Sequence, residues 1–301
     1  MDKIFSELME CRICPRNCGV NRYEKKGYCK AGDKVFVAKA FLHTWEEPCI
    51  SGERGSGTVF FSNCNLGCVF CQNDIISHGG HGKEISIVRL YEIFLELQAK
   101  GAHNINLVTP THYIPQIREA LVMAKERGLK IPVIYNSNAY EREEALKGLE
   151  GLIDVYLPDI KYFDNRYSVR YSKAPDYFKY ASKAVLEMFR QVGTPVFDDR
   201  GLLKKGLMIR HLMIPGLLFD SKKIVDWVLE SLPREVYFNI MCQYTPLNNL
   251  EAYPEIRRKV NRGHYESLID YAISKGLENG FIQDFESATD EYVPDFNLEG
   301  V

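Results

Sequence analysis

From residue 58 onward the apolar positions alternate between two rhythms. Short β-branched and aromatic runs read as strands: "TVFF" (58–61), "NINLV" (104–108), "PVIYN" (132–136), "IDVYL" (153–157), "GLMIRHLMI" (206–214) and "EVYFNIMC" (235–242). Stretches of helical spacing separate them. In 88–100, Leu90, Phe94 and Leu97 recur at i, i+4 and i+7, and in 114–127, Ile117, Ala120, Leu121 and Ala124 share one face before Gly128, a helix terminator. Further helices are predicted at 141–149, 176–192, 220–231 and 262–275. Strand–helix alternation predicts a parallel sheet with helices packed outside it. Six such units exceed a small open sheet and fall short of a closed eight-fold barrel. The predicted fold class is therefore α/β, a partial (β/α)6 TIM-type barrel, with a doubly wound sheet as the other architecture the pattern allows. Either one places its ligand at the C-terminal ends of the strands.

Composition divides the chain further. Residues 1–50 are rich in Cys, Arg, Lys and Gly with weak periodicity, and are expected to form a small Cys-rich metal-binding segment. The barrel is expected over 51–285, and 286–301, ending "DEYVPDFNLEGV", as a loosely ordered tail. With 38 basic and 40 acidic residues the net charge is −2, which supplies no field for nucleic acid or an anionic membrane. No apolar run approaches membrane-spanning length, and the N-terminus lacks the pattern of a secretory leader. A cytoplasmic protein without nucleic-acid or membrane partners is expected. The loop "SGERGSG" (51–57) precedes a strand instead of following one, which argues against a phosphate loop.

Eight of the nine cysteines lie in the first 71 residues, a clustering that suits metal binding or catalysis better than a disulfide scaffold. In "FSNCNLGCVFCQN", Cys64, Cys68 and Cys71 stand as C-x3-C-x2-C directly after a strand. Structural zinc wants four closed ligands, and a four-iron cube usually takes four thiolates. Three thiols on one loop leave one iron open, which is useful where something else binds it. Upstream, Cys11, Cys14, Cys18 and Cys29 form C-x2-C-x3-C-x10-C, with Pro15, Gly19, Gly27 and Gly32 for tight turns. They are expected to hold a second metal site, either zinc or an auxiliary iron–sulfur cluster, with Arg12, Arg16 and Lys30 favouring thiolates. Cys49 and Cys242 are expected to be buried apolar thiols.

The stretch "GSGTVFFSNCNLGCVFCQN" resembles the cluster loop of the radical S-adenosylmethionine (SAM) superfamily, in particular the activating enzymes of glycyl radical proteins. Phe70 before the third cysteine and Asn73 two after it belong to that pattern. The resemblance implies a [4Fe–4S] cluster on Cys64, Cys68 and Cys71 whose remaining iron takes the amino and carboxylate groups of SAM. Reductive cleavage of SAM would then give a 5′-deoxyadenosyl radical that abstracts hydrogen from a substrate. In "YLPDIKY" it implies that Asp159 and Lys161 approach SAM, and in "YNSNAY" that Ser137 and Asn138 contact its ribose, with Asn136 replacing an acidic residue. In "IRHLMIPG", Arg210 and His211 point to opposite faces, and His211 is the candidate for SAM or substrate contact, although a lone strand histidine is more often structural. One departure stands out: where many members carry Gly-Gly-Glu to hold the SAM ammonium, this chain has "LVTPTHY", so Thr109 and Thr111 become the candidate contacts.

As a whole the chain looks most like the PflX-type branch of iron–sulfur proteins akin to pyruvate formate-lyase activating enzyme, over about residues 11–276. The resemblance implies a protein or peptide substrate, most narrowly a glycine Cα–H, and an electron donor such as ferredoxin or flavodoxin. Two other readings stay open: radical modification of a small molecule or peptide side chain assisted by the N-terminal cluster, and a non-catalytic iron–sulfur or zinc scaffold.

Overall fold

The computed structural model describes residues 4–246, 250–285 and 294–301. Its strands are β1 (Val35–His43), β2 (Ser56–Phe61), β3 (Lys83–Ile85), β4 (Ile105–Val108), β5 (Val133–Ser137), β6 (Val155–Pro158), β7 (Val196–Phe197), β8 (Leu203–Leu212) and β9 (Tyr237–Met241). The helices of eight residues or more are α1 (Ile87–Ala99), α2 (Ile114–Glu126), α3 (Asn165–Ser172), α4 (Tyr177–Val192), α5 (Leu218–Ser231) and α6 (Arg262–Ser274).

Six strands, β2, β4, β5, β6, β8 and β9, pair in that order and all in parallel. Their inner and outer faces are both covered, which is why they read as continuous apolar runs: every residue of β2, β5 and β6 is buried. Among the described residues β9 does not pair with β2, so the barrel is open there. The helices start where their caps dictate. Ser86 accepts from the Arg89 amide at 3.0 Å to open α1, and Asn261 accepts from the His264 amide at 3.0 Å to open α6. Past α2, Gly128 takes φ +97°, a conformation that other residues adopt only with strain. Gly57 in β2 is needed for space: a Cβ there would lie 2.8 Å from the Asn104 carbonyl and 3.1 Å from Leu97 Cβ, where β4 and α1 close on the strand.

Two contacts bear on the expected division of the chain. The Cys-rich segment does not extend to residue 50, because β1 runs antiparallel to β2 from Val37–Phe61 to His43–Ser56 and belongs to the sheet. Residues 294–301 lie against β1. Leu298 donates to the Ala38 carbonyl at 3.2 Å, the Ala40 amide donates to Glu299 at 2.8 Å, and Phe296 is buried against Phe60. Residues 286–293 lie outside the described residues. No helix among the described residues is long and apolar enough to cross a membrane.

Candidate active site

A cavity of ≈ 280 Å³ opens at the C-terminal ends of the parallel strands, and residues following successive strands line it. The Cys64–Cys71 loop follows β2 and contributes all three of its thiols, together with Phe70, Gln72 and Asn73. Thr109 comes after β4, Asn136, Ser137 and Asn138 from the end of β5, Asp159 and Lys161 after β6, and Arg210 from β8. The arrangement follows from parallel topology, which brings the ends of all strands to one rim.

The cysteine loop is held from behind. Gly67 donates to the Ser172 carbonyl and Val69 to the Tyr171 carbonyl, both at 2.9 Å, so the C-terminal end of α3 serves as its backing. Arg16, from the N-terminal cysteine segment, donates to the Asn65 carbonyl at 2.6 Å and to the Lys173 carbonyl. Burial pushes the Cys68 thiol up to about 11 and raises Cys64 and Cys71 as well. As thiolates these three therefore require a cationic partner.

Lys161 lies 2.9 Å from Asp159 Oδ2. Burial opposes its charge, but Asp159 and the nearby thiols of Cys68 and Cys71 outweigh burial and raise its pKa. The other Asp159 oxygen, Oδ1, is buried with no hydrogen-bond partner among the described residues. A buried carboxylate oxygen without a donor is costly unless a ligand supplies one. Deeper in the barrel, Arg210 is paired with Glu46 and, at 2.7 Å, with Glu47. Asn106 donates to Glu46 and Asn239 to Glu47, each at 2.8 Å, completing a buried polar floor.

Two candidate contacts are corrected. His211 does not face the cavity. It turns outward from β8 toward α5, its ring nitrogens 2.7 Å from the Ile160 carbonyl and 2.8 Å from Ser221 Oγ, and burial pushes its pKa down to about 4. Strand alternation gives the inner face to Arg210 instead. Thr111 is fully buried away from the cavity and donates to Glu141 Oε1 at 2.6 Å, so of the two candidate threonines only Thr109 lines the wall. Residues that sequence reasoning missed include His43, the last residue of β1, and Trp45 and Glu46 just after it, all of which line the cavity. No local motif marks them, because their place depends on β1 joining the sheet.

The donors suit the implied groups unequally. Among the described residues, no three Cys, His, Asp or Glu side chains are gathered closely enough to hold a metal ion. A four-iron cube spreads its thiolates more widely than a single ion does, and three thiols on one cavity wall match it in donor type and number. The N-terminal thiols are partly gathered. A Cβ on Gly27 would lie 3.6 Å from Cys18 Sγ and 3.7 Å from Cys29 Sγ, and Cys11, Cys14 and Cys29 are buried. Cys49 and Cys242 are buried too.

The model of the Radical SAM superfamily matches residues 58–228, from β2 into α5. Uncharacterized protein MJ0674 of Methanocaldococcus jannaschii is 30% identical over 278 residues, covering 89% of this chain and 75% of that protein. A second uncharacterized protein of that organism, MJ0808, is 24% identical over 279 residues, covering 85% of this chain and 74% of its own. Among solved structures, Streptococcus suis SuiB bound to S-adenosylmethionine shares the fold at a TM-score of 0.53 and 16% identity. That match covers 76% of this chain, which spans 50% of the length of SuiB. A mutant of spore photoproduct lyase matches at 0.53 and 10% identity, over 81% of this chain and 79% of its own. With the cysteine loop, the strand-end cavity and the family match all on the same stretch, the chain belongs to the radical SAM superfamily.

Proposed function

We propose that this protein holds a [4Fe–4S] cluster on Cys64, Cys68 and Cys71, binds SAM in the adjoining cavity, and acts on a protein or peptide as glycyl radical activating enzymes do. The observation that carries the reading is that three thiols of one loop and the Asp159–Lys161 pair line one strand-end cavity. Held by Cys64, Cys68 and Cys71, the cluster would supply the electron for reductive cleavage of SAM and, through it, the capacity to abstract hydrogen from a substrate.

The chain's own residues bind, orient and enclose. Lys161 meets the SAM carboxylate, and the free Asp159 oxygen accepts from its amino group or ribose. Ser137, Asn138 and Thr109 offer polar contacts along the wall, and Asn73 extends them beside the third cysteine. Phe70 packs on Tyr244, ring centroids 5.6 Å apart, and keeps water from that side. A protein or peptide substrate is supported by SuiB, which has a structure bound to precursor peptide SuiA. Cys11, Cys14, Cys18 and Cys29, partly gathered in this structure, are the thiols that would close on a second metal, as zinc or an auxiliary cluster. The electron donor is of the ferredoxin or flavodoxin class. A cytoplasmic setting suits nine cysteines of which none forms a disulfide.

The test is anaerobic. Reconstituted protein with dithionite and SAM is expected to release 5′-deoxyadenosine, and Cys68→Ala to release none above background. Equal output from parent and variant would reject the reading. The activase assignment needs a glycyl radical doublet by electron paramagnetic resonance on an added partner enzyme. Cleavage of SAM with silence from every such partner would redirect the search to small molecules or peptide side chains.

A further inference from the structure

Each thiol of the Cys64–Cys71 loop is met by a side-chain hydrogen-bond donor from a different part of the fold. Ser172 Oγ, at the end of α3, donates to Cys68 Sγ at 2.9 Å. Ser77 Oγ lies 3.2 Å from Cys71 Sγ, and Asn138 Nδ2 lies 3.5 Å from Cys64 Sγ. A metal-bound thiolate carries no proton, so in the loaded protein all three sulfurs can only accept. Ser172 is fully buried, and its hydroxyl also lies 2.7 Å from Tyr162 Oη. With the Ser172 proton directed at sulfur, Tyr162 must donate to Ser172, giving a two-step chain aimed at Cys68. The N-terminal segment braces two of the donors. Arg16 donates to the Ser172 carbonyl at 3.4 Å and to the Asn65 carbonyl at 2.6 Å, while Asn138 also donates to Asn65 Oδ1 at 2.8 Å.

We infer that Ser172, Ser77 and Asn138 are positioning residues that set the reduction potential of the cluster, with Tyr162 polarising Ser172. The inference rests on the cluster reading above. One-electron reduction, by a low-potential donor such as dithionite, places an additional negative charge on the iron–sulfur core and its three thiolates. Donors to the sulfurs stabilise that more negative state over the oxidised one, and burial strengthens each bond. The three donors therefore make the cluster easier to reduce.

The experiment is a redox titration of the reconstituted full chain, following the reduced-cluster signal by electron paramagnetic resonance alongside iron and sulfide analysis. Ser172→Ala is expected to disfavour reduction at least tenfold, a midpoint lower by about 59 mV for one electron. Ser172→Thr, which keeps the hydroxyl, restores the parent value. Tyr162→Phe and Ser77→Ala shift the midpoint in the same direction as Ser172→Ala, Tyr162→Phe by less, and carry the test should Ser172→Ala fail to fold. Midpoints unchanged from the parent in variants with full iron and sulfide would overturn the inference. A parent that assembles no cluster on Cys64, Cys68 and Cys71 would instead overturn the reading on which it rests.

Discussion

Glu141 is a fully buried carboxyl whose Oε1 accepts from Thr111 at 2.6 Å and from Tyr135 at 3.3 Å, while Oε2 has no partner among the described residues. Burial pushes its pKa from 4.5 up to about 7. The folded state thus keeps a proton that the unfolded chain releases, and stability falls as pH rises from about 4.5 to 7, by on the order of 3 kcal/mol. Glu141→Gln should abolish that loss and leave the variant more stable than the parent at pH 8, as read by urea unfolding at pH 5 and 8. An identical pH dependence in both proteins would contradict the assignment. Lys161 makes a different prediction. Its ammonium is a cation on the wall of the cavity that the three cysteines also line, so Lys161→Ala should weaken SAM binding about 10- to 100-fold with cluster content unchanged. Binding within twofold of the parent would remove it from the SAM site. At this scale the sequence was informative about chemistry and silent about phase: alternation placed Arg210 and His211 on opposite faces but could not say which face was inner.

Among the elements, the six parallel strands and most helices follow from local rhythm, and β1 does not. "VFVAKAFLH" carries Lys39 in its middle, which hides a buried strand. The lysine is accommodated because Nζ donates to the Asp295 carbonyl at 2.8 Å, lies 3.3 Å from Glu299, and sits 4.6 Å from the centre of the Phe41 ring. Those partners are 256 residues away in the first case, beyond any local pattern. The same contacts explain why the chain end reads as a loose tail yet packs on β1. Phe296, 7% exposed and edge-on to Phe60 at 5.4 Å, anchors it. Phe296→Ala should cost roughly 3 kcal/mol in urea unfolding. A loss under 0.5 kcal/mol would mean that the terminal segment is not bound to the sheet.

For the whole molecule, parallel topology does most of the functional work. It carries residues scattered from Cys64 to Arg210 to one rim, and the cysteine segment at the N-terminus reaches the same place from behind through Arg16. The three-cysteine loop was legible because its C-x3-C-x2-C spacing, the strand before it and the flanking Phe70 and Asn73 all lie in one short stretch that resembles the radical SAM loop. The wall beyond it, His43 to Glu46 and the floor around Arg210, was not, since it assembles only when distant strands pair. The central claim is that an iron held by this loop is open to SAM. Electron–nuclear double resonance of the reduced protein with SAM labelled by ¹⁵N at its amino group tests it most directly. The account predicts a nitrogen coupling to the cluster that Lys161→Ala weakens and Cys68→Ala abolishes; a reduced cluster on Cys64, Cys68 and Cys71 with no such coupling at saturating SAM would contradict it.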